Sequence, residues 1–402
     1  MGARAQVWKQ ACFCAAVVTC CLVGQASGAI PDNTQRVSNV LEKLVIPGFE
    51  RLETSTAKLA PAVRGWCATH NGAVDKKKST AKAQKKAFAA LSAAFGETAS
   101  AWGGVEFLRF GPLAAKGRRE RFAFWPDPRG VVARQLRQIL AAKNPALLEP
   151  GALAKQSAAV QGLPALELLI VPSEGPSGKA APSSQSGEQA AEKQAAADAG
   201  DEVYRCQLAV AVADNLAALA YEIREAWTQD GGYRQMMLET GPDHKIYKSD
   251  AESAGDLVRS LLTGLQIISE TQAKPRARGA AAQTVIKSAK PEKRPSGPFV
   301  RIKAESAYFV GATRGLKALY DGLDMEASLA PDKHWMKGWA AGAWRVILRS
   351  DGVGGAVKGA HAGAAPSPRE VAGRINGLRQ LIGREMANAA GIPIGFNELD
   401  GD

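Results

Sequence analysis

The chain has 402 residues, 46% of them hydrophobic and 6% aromatic, which is enough for two domains with substantial cores. Its formal charge is +12, yet the basic residues gather in two aromatic-free clusters. One runs from Lys76 to Lys86 and the other from Lys274 to Arg294. Basic clusters without interleaved aromatic residues argue against nucleic-acid binding. An excess of Ala, Leu, Lys, Arg, Glu and Gln over alternating β-branched runs excludes a β-rich fold and predicts helices.

The N-terminus reads as a processing signal. Arg4 and Lys9 precede an apolar run from Ala11 to Gly24, and Ser27-Gly28-Ala29 supply small residues suited to cleavage before Ile30. The run is too short for an ordinary membrane span, and nothing after it looks like one. Cys20 and Cys21 raise lipid anchoring as a competing reading, but Val17-Val18-Thr19 before Cys20 is a poor lipid-attachment signal. A soluble exported protein is expected, with residues 1–29 removed and the charge reduced to +10 by loss of Arg4 and Lys9. The mature chain then keeps Cys67 and Cys206. Two cysteines in an exported protein suggest one disulfide, the alternative being two buried thiols.

Val37, Leu41, Val45, Phe49, Leu52 and Leu59 follow helical spacing, with Pro47 expected to bend that first helix. Phe88, Leu91, Phe95, Trp102 and Val105 form a second stripe. A third helix is predicted over 131–140 behind Pro128, and a fourth over 151–171, interrupted near Gly162 and Pro164. These four make an N-terminal bundle over 30–171. Residues 172–201 read as a flexible linker. A C-terminal bundle follows over 202–402, led by Leu208, Val212, Leu216, Leu219, Ile223 and Trp227. Further helices are predicted near 250–272, 301–322, 332–350 and 368–390, with loops at 274–298 and 351–368. The fold class expected is all-α, as two tandem helical bundles.

Four segments carry the functional signal. Trp102 to Pro112 is a helix ending in Phe110-Gly111-Pro112, and Phe124 to Arg129 is a Trp-Pro-Asp loop in which Asp127 could cap the next helix. Residues 161–169 read Gln-Gly-Leu-Pro-Ala-Leu-Glu-Leu-Leu, and the chain ends Gly-Phe-Asn-Glu-Leu-Asp-Gly-Asp. Ile394 and Phe396 suggest that this end docks on a bundle. His70, His244, His334 and His361 follow no ligand spacing. Neither a Gly-x-Ser-x-Gly elbow nor a phosphate-binding glycine loop is present. Carboxylates alone could hold a hard cation, drawn from Glu97, Glu106, Asp127 and Glu167.

In this order the four segments resemble the imelysin family, periplasmic helical proteins associated with bacterial iron acquisition. Cys67 and Cys206 also fall where many relatives carry cysteines. The resemblance implies an all-α protein that binds iron, an iron carrier or a partner protein in the periplasm. It implies a site anchored by Glu167, with Gln161, Arg109, Asp127 and Arg129 shaping it, and iron or another divalent metal on Glu167. The family's Gly-x-His-x-x-Glu motif has its histidine where this chain has Pro164, and proline cannot ligate a metal. A non-catalytic role is therefore expected. The alternatives are a metallopeptidase with an atypical carboxylate site and an envelope interaction protein with a vestigial pocket.

Overall fold

A computed structural model of the chain describes residues 30–70, 81–171, 188–272, 297–350 and 366–394. The expected signal peptide, the Lys76–Lys78 cluster, residues 172–187 of the expected linker, nearly all of the two expected loops and the acidic C-terminal end lie outside them. The described residues contain helices, joined by turns and short loops, and no strand. The fold is all-α, as the composition predicts.

The first predicted helix is a rod of three pieces: α1 (Asn33–Val40), a π turn (Leu41–Val45) and α2 (Ile46–Ala57). In the π turn the Ile46 amide reaches back to the Leu41 carbonyl. Pro47 follows immediately, in the first turn of α2, where its missing amide breaks least of the ladder. Every residue of the predicted stripe, Val37, Leu41, Val45, Phe49, Leu52 and Leu59, is fully buried. The second stripe lies on α4 (Ala81–Gly103), where Leu91, Phe95 and Trp102 are buried but Phe88 is 38% exposed. The third helix is α7 (Val131–Ala142). It starts after Gly130, which adopts a left-handed conformation, and so later than Pro128.

The predicted fourth helix is largely a different structure. Residues 151–162 form short 3₁₀ turns at Leu153–Lys155 and Ala158–Val160, and only α8 (Leu163–Ile170) is α-helical. Gly162 explains the break: a Cβ there would lie 2.3 Å from the Phe122 carbonyl oxygen. The chain must pass the end of α6 (Arg118–Phe122) at backbone contact before a helix can start.

Inside the expected linker, α9 (Glu188–Thr228) already begins at Glu188, earlier than residue 202. Leu208, Val212, Leu216, Leu219, Ile223 and Trp227 are all buried along it. By length and composition its Gly200–Thr228 stretch could cross a membrane, but half of that apolar window is buried inside the protein. Cys67 of α3 (Leu59–His70) and Cys206 of α9 are disulfide-bonded, with Cα atoms 5.8 Å apart. The later predictions correspond to α11 (Asp250–Gln272), α12 (Glu305–Leu323), α13 (Trp335–Ser350) and α14 (Pro368–Leu381).

Residues from Pro31 onward form one compact unit, and helices from either side of the linker pack on each other. α4 lies along α12, α2 and α3 along α9, and α1 against α11 and α12. The α4–α12 crossing is made by small residues, since a Cβ on Gly311 would fall 1.9 Å from the Ser100 carbonyl oxygen. Arg36 pins α1 to the far end of α12. Its guanidinium is buried and donates to the Leu323 carbonyl at 3.0 Å and to Ser328 Oγ at 2.6 Å. At the C-terminal end Ile392 is buried and Ile394 packs on the core.

Candidate functional site

The segment that carries the family resemblance bends sharply at Gly162 and enters α8 with Pro164 in its first turn, where a proline needs no amide partner. Glu167, the fifth residue of α8, is bound from outside its own helix. Its Oε1 accepts hydrogen bonds from the backbone amides of Arg301 at 2.8 Å and Ile302 at 3.1 Å. These amides belong to a tight turn closed by the Ala304 amide on the Phe299 carbonyl at 3.0 Å, which leads directly into α12. Glu167 is 8% exposed. Burial pushes its carboxyl above the usual glutamate range, and the two amides and the nearby Arg301 charge pull it partly back.

Gln161, 1% exposed, is used on every side. Its Nε2 donates to the Gln156 carbonyl, its Oε1 accepts from Arg121 Nε at 3.0 Å, and its carbonyl accepts from Asn215 Nδ2 at 3.2 Å. Arg121 belongs to a charged cluster at the joint of α6 and α9. Glu222 Oε1 accepts from Arg118 Nε and Nη2 at 3.0 and 2.9 Å, and Arg118 Nη1 holds the Pro112 carbonyl at 2.8 Å. Arg121 and Lys116 approach the same carboxylate at 3.8 and 3.9 Å. Arg118 is nearly inaccessible, with 7% of its side chain exposed, so its charge-assisted bonds are screened little. Beside this cluster is a cleft of about 370 Å³ whose polar lining includes Arg121, Asp214, Asn215 and Glu222. That volume is within the range of small-molecule sites.

The remaining expected site residues fall elsewhere. Asp127 caps α7, accepting from the Val131 and Val132 amides at 2.8 and 2.9 Å. Arg129 is exposed beside it. Arg109 lies near a buried pair in which the Tyr308 hydroxyl donates to Glu106. Burial and the Glu106 carboxylate hold that phenol well above its ordinary range, and Arg119 and Arg109 offset this in part. Gln161, Glu167 and Asp127 thus each bond to a different partner, and Arg129 is exposed.

A metal on Glu167 does not fit these surroundings. Two amide protons already point at Oε1, and Pro164 offers no donor. The other candidate carboxylates are also engaged, Glu97 with Lys58 at 2.8 Å and Glu106 with Tyr308. Among the described residues, no three His, Cys, Asp or Glu side chains converge where they could hold a metal ion. The His244 Nδ1 accepts the Tyr247 amide at 2.9 Å, and His334 Nε2 lies 3.1 Å from the Leu329 carbonyl oxygen.

The sequence model of imelysin, designated peptidase M75, matches residues 45–295, more than half of the chain. The chain belongs to the imelysin family. Among solved structures, an imelysin-like protein from Psychrobacter arcticum 273-4 superposes with a TM-score of 0.59 at 18% identity, covering 90% of this chain and 97% of that one. A candidate iron-regulated protein A precursor from Parabacteroides distasonis ATCC 8503 gives a TM-score of 0.48 at 14% identity, covering 91% and 96%. No curated protein matches.

Within this imelysin fold, sequence reasoning missed Arg118, Arg121 and Glu222, which build the cluster next to Gln161. The run Arg118-Arg119-Glu120-Arg121 is visible in the sequence. Its partner Glu222 is 104 residues from Arg118, a separation that no local pattern bridges.

Proposed function

We propose that this imelysin-family protein is exported to the periplasm and acts in bacterial iron acquisition as a binding protein without peptidase chemistry. Its ligand, an iron carrier or a partner protein, is taken in the cleft beside Gln161, where Arg121, Asp214, Asn215 and Glu222 present both charges and an amide. Family membership supports the process. The export reading rests on Arg4, Lys9, the apolar run after them and the small residues before Ile30.

The observation that carries the non-catalytic reading is the state of Glu167. A metallopeptidase needs a carboxylate or imidazole free to hold a metal or to move a proton at substrate. Here the motif carboxylate is bound to the Arg301 and Ile302 amides, and the motif histidine is Pro164.

Two measurements test this. Incubation with an unfolded protein substrate should give no cleavage; chelator-sensitive cleavage that disappears in Glu167→Ala would establish the metallopeptidase instead. A deletion strain should grow poorly when iron is limiting and recover with the wild-type gene but not with Arg121→Glu. Normal growth of the deletion strain under iron limitation would remove the iron-acquisition role.

A further inference from the structure

Away from α8 and the Gln161 cleft, α2, α4 and α12 line a second cleft of about 890 Å³. Its α2 wall is one helix face, on which Pro47, Arg51, Thr54 and Lys58 follow one another at three- or four-residue spacing. The other two helices supply small residues, Ser100 and Ala101 from α4 and Gly311, Gly315 and Ala318 from α12. Their backbones are already in contact there: a Cβ on Gly315 would fall 2.4 Å from the Gly104 carbonyl oxygen. A crossing this close demands small residues, and small residues leave the space above it unfilled.

The charges around that space are unbalanced. Four cations line it, Lys43, Arg51, Lys58 and Arg314, against the two carboxylates of Glu50 and Glu97. Lys58 and Glu97 neutralise each other at 2.8 Å. Among the described residues, Lys43, Arg51 and Arg314 have no carboxylate partner. At the other helix joints the arginines are paired, Arg118 and Arg121 with Glu222 and Arg224 with Glu53. Arg51 comes from α2 and Arg314 from α12, so two guanidinium groups reach one cavity from different helices. Each carries a planar fork of donors that matches the oxygens of a carboxylate or a phosphate.

The remaining lining narrows the ligand. None of the described residues around the cleft is aromatic, so the stacking surface that a nucleic-acid base uses is missing. The volume is within the range of small-molecule sites and is more than one simple oxyanion fills.

We propose that this cleft binds a small polyanion with two or three carboxylate or phosphate groups. Arg51 and Arg314 clamp it from the two walls, and Lys43 takes a further oxyanion. Because α2 and α12 come from opposite ends of the chain, a bound polyanion ties them together and raises the melting temperature. The cleft shares no residue with the one beside Gln161, so either site can fail alone.

The test is calorimetric titration of the purified protein with tricarballylate and with tripolyphosphate, at low ionic strength where screening is least. Wild type should bind one anion per chain with at least one of the two. Binding of tricarballylate alone would identify a polycarboxylate ligand, and of tripolyphosphate alone a polyphosphate. Arg51→Ala and Arg314→Glu, both at exposed positions, should fold and lose roughly ten-fold or more in affinity, the worth of one charge-assisted hydrogen bond. Ala318→Leu narrows the cleft, leaves every charge in place and should weaken binding as well. Arg345→Glu, at an exposed arginine of α13 outside the cleft, should bind as wild type, and so should Arg121→Glu. Binding of neither anion, equal losses in Arg345→Glu and Arg314→Glu, or full affinity in folded Arg314→Glu and Ala318→Leu would each overturn the site.

Discussion

Replacing Glu167 by alanine removes the acceptor of two backbone amides and nothing else of consequence to its helix. The Ile302 amide is buried and the Arg301 amide half-buried. A buried donor left without a partner costs about 1–3 kcal/mol, and a half-buried one recovers part of that from water. The sum is about 3 kcal/mol. Glutamine keeps an oxygen at the same place and sheds the cost of burying the charge along with its charge assistance, so its net effect stays within about 1 kcal/mol. For a folded unit of this length the unfolding entropy is about 0.8 kcal/mol/K, so alanine should lower Tm by about 4 °C and glutamine shift it by no more than about 1 °C. Hydrogen exchange localises the effect, because the amides of residues 301 and 302 should lose protection in the alanine variant before the rest of α12 does. Equal melting temperatures and unchanged exchange at those two amides would refute the role assigned to Glu167 as the clasp of the turn into α12.

Three further outcomes follow from the same structure. The Glu167 carboxyl titrates above its unfolded value of 4.5, so the folded state binds more protons there. Its contribution is fully present below that pH and lost as pH rises through the raised folded value; Glu167→Gln should flatten this fall in Tm, and parallel wild-type and variant profiles would contradict it. The Cys67–Cys206 bridge closes a separation of 139 residues, worth up to about 5 kcal/mol in the chain-entropy account; the double serine variant should melt about 6 °C lower, and two titratable thiols in the native oxidised protein would refute the bridge. Gly311→Ala should cost about 2 kcal/mol net, because pushing α4 off α12 outweighs the helix-propensity gain of about 1 kcal/mol, and an unchanged urea midpoint would show that the crossing is looser than the Gly311–Ser100 contact implies.

Helical periodicity identified the buried faces well wherever the partner is simply another apolar surface. The stripes led by Val37 and Leu208 are buried along their length, since apolar spacing is a local property that survives any arrangement of neighbours. It failed at residues 151–162. The composition there permits helix, but the Phe122 carbonyl occupies the space a Cβ at position 162 would need. The site residues were less legible. Asp127 was readable as a cap because its amides are four and five residues away. Glu167 was singled out for its place in a motif, while its partners lie 134 and 135 residues further along the chain.

From its residues alone, this protein determined its all-α class, most of its helices and its family resemblance, because each depends on local spacing or on short motifs. Tertiary structure alone decided that α4 would lie on α12, that Glu167 would bind the turn into α12, and that Arg118 and Arg121 would meet Glu222. Those outcomes depend on which distant backbone segments come within hydrogen-bonding reach, and that is set by the packing of whole helices.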